Sequence, residues 1–461
     1  MAEIKPFRAL VYDSKKVGDL SGVMAPPYDV ISPDFQDKLY SRHANNIVRL
    51  ILGKTDGADA PGNDRYSRAA GEFKKWLDEG VLRRDSRPSI YYYVQKYTLP
   101  DGSRPTRKGF IALSRIEEFG RGKIHAHERT LSGPKADRLK LIEACKANFS
   151  CIFSLYSEPR LTINNILDNA AANLEPTIDV SGDDGVENIV YRIDDPEVIE
   201  AVSAVMREKT LFIADGHHRY ETAINYRNLM RENNPQSLES GEDAPYDYVM
   251  MYFSNMDDEG MTVWPTHRVV HSVRDFNGDD FISSLEKYFN IEEFQYKDDN
   301  MDEVKRRFLS MLEEKGKTKT AFGLHIAGRS LYYLITLKSK DVLEGIFPEG
   351  IPDVYKTLDV TILHELILTN ILGISRGAQE KQENLHYVKS FKDAFDLMED
   401  ESNQVVFLLN ATRISQVKAI AEAGFVMPQK STYFHPKLLS GLVLNLLSED
   451  SEPPVTASAG A

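Results

Sequence analysis

Leu211–Ala223, LFIADGHHRYETA, reads as an apolar strand that stops at Asp215-Gly216 and gives way to a helix opening on His217, His218 and Arg219. A helix N-terminus already presents positive charge, so basic groups there repel it. Three of them in a row point to an anionic partner. Asp215 has the chemistry of an N-cap, accepting from the free N–H groups of the first turn. Gly216 lets the backbone approach a ligand closely or take a positive φ. The exposed N–H groups then form an anion site. Arg219 can grip a phosphate through two parallel hydrogen bonds. His217 or His218 can donate to a transferring phosphoryl group or move a proton. Tyr220 and Glu221 are expected on the flanks of the helix.

Further stretches carry similar chemistry. APPYDVIS (25–32) fixes Tyr28 and Asp29 between two prolines and a helix expected at Pro33, as a rigid turn or as a loop that closes on substrate or nucleotide. HERTLSGPKADRL (127–139) offers Glu128 as a general base, Thr130 as a hydroxyl contact, and Lys135 and Arg138 as phosphate partners. MPQKSTYFHPKL (427–438) sets Gln429, Lys430, Ser431 and Thr432 together, with Lys437 beyond, as a wall of a polar pocket. PTHR (265–268) adds another His/Arg pair, whereas His364 and Glu365 in LHELIL read as part of a core helix. A metal site is the competing reading of the histidines. Adjacent His217 and His218 diverge on a helix and do not easily share one ion. His125 and His127 have better strand spacing, but no cysteine or carboxylate cluster completes a zinc pattern.

These residues need a scaffold of alternating strands and helices. RYSRAAGEFKKWLDEGVL, ADRLKLIEACKANF and DPEVIEAVSAVMREK have helical spacing. NIVRLILG (46–53), CIFSLY and YDYVMMYFSN read as strands, and SIYYYVQKYTL with KGFIALSRIEEF reads as a hairpin around PDGSRPTR. Residues 275 to about 340 alternate helix, strand, helix, strand, strand. LDVTILHELILTNILG is an apolar helix, and the NNPQS and GEDAP stretches near residue 240 form a surface loop. The expected class is α/β to α+β, a mixed-sheet core with a small α+β insert. The expected division is a core over 1–274, the insert over 275–345, a C-terminal α/β part over 346–448 that completes the pocket, and a disordered polar tail over 449–461.

The chain has 461 residues, 42% hydrophobic and 27% charged, with a formal net charge of -14. That balance argues against a nucleic-acid partner or a membrane-surface protein, while leaving room for a local basic pocket. No apolar run approaches the roughly 18 residues of a membrane span, and the first residues lack the apolar core of a signal peptide. Cys145 and Cys151 are too few for a disulfide framework and read as buried, reduced thiols of a cytoplasmic protein.

PPYDVIS, HERTLSGPKADRL, ADGHHRYETA, PTHRVV, LDVTILHELIL and MPQKSTYFHPKLLSGLV resemble the prokaryotic family known as the domain of unknown function numbered 1015. The likeness runs from about residue 5 to about residue 445. PYDVI and ADGHHR also resemble the paired boxes of the ParB N-terminal, sulfiredoxin and free-serine kinase superfamily. That resemblance implies a mixed-sheet core of the same kind. It places nucleotide phosphates on Gly216, His217, His218 and Arg219, with Asp215 just before them. The two boxes lie much farther apart here than in the small members of that superfamily. An acidic residue serves as base for the serine hydroxyl in the free-serine kinases, and Glu128 is the candidate by chemistry. The implied activity is transfer of phosphate from ATP or ADP, with Mg²⁺, to a small hydroxyl acceptor, free L-serine first. Asp215 would take the hydroxyl proton or bind the Mg²⁺. Lys135, Arg138 and Lys430 would neutralise charge. The rival readings are a nucleotide-binding switch or partner-binding protein of ParB type, and a phosphatase or metal hydrolase.

Overall fold

The computed structural model describes residues 2–57, 59–60, 62–128, 132–234, 243–400 and 402–447, with the side chains of 132–134 and 399 excepted. Thr130, the centre of the loop near residue 240 and the tail from residue 449 lie outside the described residues. The chain divides into two compact units. The first comprises Met1–Ala126, Leu131–Met261 and Pro436–Ala461, and the second His127–Thr130 and Thr262–His435.

A nine-stranded mixed sheet organises the first unit. Its strands are β1 (Ile4–Lys5), β2 (Ile90–Lys96), β3 (Thr106–Arg115), β4 (Ile124–His125), β5 (Ile152–Tyr156), β6 (Ile178–Ser181), β7 (Glu187–Ile193), β8 (Leu211–Asp215) and β9 (Tyr248–Asn255). Their order is β4-β8-β5-β9-β3-β2-β7-β6, with β1 on β3. The β8/β4 and β9/β5 pairs are parallel, and the β8/β5 and β9/β3 pairs are antiparallel. The uninterrupted apolar run of β9 follows from its central place, because all eight of its residues are buried. Two helices matter for the site, α1 (Ser132–Cys145) and α2 (His217–Asn233). They are joined by the Lys135–Glu221 ion pair, 2.6 Å, and by contacts among Ile142, Tyr226, Leu139 and Met230.

A six-stranded antiparallel sheet forms the second unit. Its strands are β10 (His267–His271), β11 (Phe289–Gln295), β12 (Ala321–Ile326), β13 (Leu331–Leu337), β14 (Leu385–Val388) and β15 (Asn403–Leu409), in the order β11-β13-β12-β15-β10-β14. The strands of 275–340 therefore share one sheet with strands from before and after them. The apolar helix over residues 359–371 packs into the same core, and its second half, Leu363–Ile371, is a π-helix.

Two expectations are corrected here. NIVRLILG is not a strand, because Val48–Ile51 is helical. The Asn46 side chain accepts from the Val48 N–H at 2.9 Å and donates to the carbonyls of Gly22 and Met24, so it starts a helix where a strand was expected. Tyr220 is not on a flank: it is fully buried, and its hydroxyl donates to the Glu117 carbonyl at 2.9 Å. No helix among the described residues is long and apolar enough to cross a membrane.

The centre of the first sheet admits no extra carbon at Gly109, where a Cβ would stand 2.4 Å from the Phe253 carbonyl oxygen. Gly109→Ala is expected to lower stability by about 1–3 kcal/mol. Urea unfolding would check this, and an unchanged midpoint would count against the tight β3/β9 approach.

Candidate functional site

The strand-to-helix junction in the first unit is built around a bulge. The β8/β5 register shifts between Ile213 and Asp215, and such an irregularity re-aims the side chain that follows it. Gly216 then takes φ 87° and serves as the N-cap of α2 without a side-chain cap. Asp215 is therefore not the cap. Its two carboxylate oxygens are engaged elsewhere: Oδ1 accepts from Lys437 Nζ at 2.6 Å and Oδ2 from Arg219 Nη2 at 3.0 Å. Burial pushes this carboxyl up, but the attraction of Lys437 and then Arg219 outweighs it and holds Asp215 well below the usual carboxylate range. Arg219 also donates to the Cys151 carbonyl. Burial pushes the Cys151 thiol up to about 12, which keeps it unreactive.

Arg219 lies on one wall of an open cleft. Arg138 and Tyr28 line it too, over a floor that includes Ile51, Leu141, Phe149 and Ile152. Residues from three separate sequence stretches, PPYDVIS, HERTLSGPKADRL and ADGHHR, thus meet in one cavity. The Arg138 guanidinium stacks 4.1 Å from the centre of the Tyr28 ring and donates to the Ile51 carbonyl at 2.7 Å. Asp137 holds its Nε at 2.7 Å and also accepts from Tyr66 at 2.7 Å and from Arg65. Burial raises the Asp137 carboxyl, but Arg138, the Tyr66 hydrogen bond and Arg65 keep it below its ordinary value. Burial also raises the Tyr28 phenol, against the pull of Arg138, so Tyr28 stays a neutral donor.

The remaining candidates fall in several places. Asp29 is exposed on the short helical turn Tyr28–Val30. Lys135 is paired with Glu221 on the α1/α2 seam. His217 is buried at the first turn of α2 beside Asp215, and His218 is half-buried. Glu128, Gln429, Lys430, Ser431 and Thr432 belong to the second unit. There the Lys430 N–H donates to Glu128 Oε1 at 2.7 Å, Ser431 donates to the Pro428 carbonyl at 2.5 Å, and Thr432 Oγ1 contacts His127 Nε2 at 2.9 Å. Gln429 lines a separate cleft. Sequence reasoning assigned no role to Asp137, and it placed Lys437 only in the wall of a polar pocket, not against Asp215. Lys437 follows Pro436 in a polar loop 222 residues from Asp215, and nothing local marks it as that residue's partner.

The fit to Mg²⁺ through Asp215 is poor, because both of its oxygens already face cations. Among the described residues no three His, Cys, Asp or Glu side chains gather as a metal set.

A family model described as a protein of unknown function (DUF1015) matches residues 4–361. No curated protein matches the chain. Among solved structures, a conserved hypothetical protein from Pyrococcus furiosus is 16% identical at a TM-score of 0.31, covering 68% of this chain and 87% of its own. A free serine kinase in complex with AMP is 14% identical at 0.29, covering 68% and 83%. SbnI from Staphylococcus aureus, truncated at its C-terminus, is 10% identical at 0.32, covering 74% and 90%.

The Asp215 pairing has a pH signature. Its folded pKa lies below the unfolded value of about 3.9, so its stabilisation is complete above that value and is lost as pH falls through the folded one. Lys437→Met leaves the buried carboxylate with one cation, an expected loss of about 3–5 kcal/mol at pH 7. The gap between variant and parent should narrow below about pH 4. Urea unfolding from pH 7 to pH 2 measures it, and a gap independent of pH would mean that Lys437 acts by packing alone.

Proposed function

The chain belongs to DUF1015, a family of unknown function, and on that footing we propose that its first unit binds a nucleotide and transfers a phosphate to a small hydroxyl acceptor. One observation carries the reading. A single cleft joins an apolar floor to two guanidinium groups, Arg138 and Arg219, drawn from different stretches of chain. An apolar slot takes a planar base, and paired arginines take phosphates. Phosphoryl transfer asks little covalent chemistry of a protein and depends on positioning and charge stabilisation. Arg219, Arg138 and the Tyr28 hydroxyl supply both in this reading. Free L-serine leads the list of acceptors because the PYDVI and ADGHHR stretches resemble boxes of the superfamily that contains the free-serine kinases.

Asp215 is too firmly ionised to be an effective base, since proton acceptors work best with a pKa near the working pH. Its role in this reading is to hold Arg219. Asp29, exposed beside Tyr28, is the carboxylate proposed to receive the hydroxyl proton. No step here runs through a metal.

One observation favours a second reading. None of the described residues lining the cleft is a carboxylate, which suits a protein that binds nucleotide as a switch without transferring phosphate. Phosphorus NMR of the protein with ATP or ADP and a panel of amino acids separates the two. Phosphoserine formed in step with nucleotide consumed supports transfer, and inorganic phosphate alone supports the switch.

Arg219→Ala is expected to weaken binding of a non-hydrolysable nucleotide roughly 10- to 150-fold, the worth of a charged hydrogen bond. Asp29→Asn should lower phosphoserine formation on the order of 10²- to 10⁴-fold with little change in nucleotide affinity. Isothermal titration beside steady-state assays reads both. Parental affinity in Arg219→Ala would remove the nucleotide from this cleft.

A further inference from the structure

PTHR, LHELIL and MPQKS take no part in the nucleotide reading, yet the second unit has a second cleft lined from LHELIL and MPQKS, with Arg268 of PTHR packed behind its wall. Its lining includes His364, Gln379, Tyr387 and Gln429, with Glu365, Arg376 and Glu380 around the mouth. Arg268 is packed against three of these residues. Its Nη2 reaches the Gln429 carbonyl and His364 Nε2, both at 3.4 Å, and its guanidinium lies 5.1 Å from the centre of the Tyr387 ring.

Arg268 is 0% exposed, and every acceptor it meets among the described residues is neutral. Besides those two contacts, it donates to the carbonyls of Lys430, at 3.0 Å, and Thr266. Its Nε has no hydrogen-bond partner among the described residues, and neither has the buried Tyr387 hydroxyl beside it. Burial pushes Arg268 down to about 10, with Tyr387 and Glu128 favouring its charge through space, so it remains a cation at neutral pH. A buried cation without a hydrogen-bonded anion is costly, as is a buried hydroxyl without a partner. Both costs fall when an anion enters.

The neighbouring groups are held in place. Gln379 Nε2 donates to the Ile374 carbonyl at 2.9 Å, so its oxygen must face His364 Nδ1, 2.8 Å away. His364 Nδ1 therefore carries the proton, and the Nε2 lone pair faces Arg268. The π-helix Leu363–Ile371 sets His364 in that position. At the mouth, Glu365 is paired with Arg376 at 2.7 Å, and Glu380 is exposed. Two carboxylates there disfavour a multiply charged phosphate and offer acceptors to the far end of a ligand.

We infer that this cleft binds a small monocarboxylate whose far end donates hydrogen bonds, its carboxylate meeting the Tyr387 side of the lining and drawn there by the charge of Arg268 behind it. The inference stands apart from the nucleotide reading, because it uses a different cleft and different residues.

Ligand-observed NMR and isothermal titration on the full chain test it, with glycine, acetate, methylamine and inorganic phosphate as probes. Saturable glycine binding is expected, with acetate weaker and neither methylamine nor phosphate bound. Tyr387→Phe should weaken glycine about tenfold, and Arg268→Lys should weaken it further, while Arg219→Ala in the other cleft leaves it unchanged. If Arg268→Lys fails to fold, Tyr387→Phe decides. Failure of both glycine and acetate to bind, phosphate binding more tightly than either, parental glycine affinity in Tyr387→Phe, or loss of glycine binding in Arg219→Ala would each overturn the inference.

Discussion

A carboxylate clasped between two cations sets the geometry of the first unit's cleft. Asp215 stands at the end of β8 and is mostly withdrawn from water. Its charge is tolerable there only because Lys437 and Arg219 each hold one oxygen. The bulge in β8 turns the carboxylate toward them. Gly216 must then reverse the chain in a left-handed conformation, with so little room that a Cβ would meet the Arg219 guanidinium at 2.9 Å. The position of Arg219 at the cleft wall is thus fixed by the same contacts that make Asp215 affordable.

Buried arginines held by carbonyls recur through the molecule. Arg107 is 1% exposed, donates to Gln95 and to the Pro436 carbonyl, and lies 4.7 Å from the centre of the Phe153 ring. Arg138 uses the Ile51 carbonyl and Arg268 those of Thr266 and Lys430. The guanidinium is weakly hydrated and always charged, which makes it the cation best suited to such places. A chain of net charge -14 thus keeps some of its cations inside, Arg138 and Arg219 at the wall of the first cleft with Asp137 and Asp215 beside them.

Much of this architecture was legible in the sequence, and the failures have definite causes. The hairpin around residues 100–105, the buried run of β9 and the strand–helix series of 275–340 follow from periodicity and turn residues. The apolar stretch at 46–53 was too short for periodicity to separate strand from helix, and the Asn46 side chain decided it. The capping expectation for Asp215 was sound locally and failed because of a lysine 222 residues away. Arg138, Arg219 and Tyr28 were identifiable as chemistry from residue type alone. Their convergence on one cleft, and the membership of Glu128 and Lys430 in the other unit, depend on tertiary folding that no local pattern encodes.

The route of the chain also has a consequence for its birth on the ribosome. The first unit is closed by the stretch that returns at Pro436: Ser440 pairs with Ala25, Leu444 with Leu10, and Asn445–Leu446 with Ala147–Asn148. Every strand of the second unit is synthesised before that stretch emerges. A nascent chain therefore carries a nearly finished sheet whose Asp215 still lacks its lysine and whose Arg107 still lacks the Pro436 carbonyl. Contacts of such long sequence separation form slowly, and surfaces left open in the interval are prone to association. Residues 436–447 act as a bolt: until they slide home, the first unit lacks the Asp215–Lys437 pair, the Arg107 bond to Pro436 and the strand pairs with Leu10, Ala25 and Ala147–Asn148.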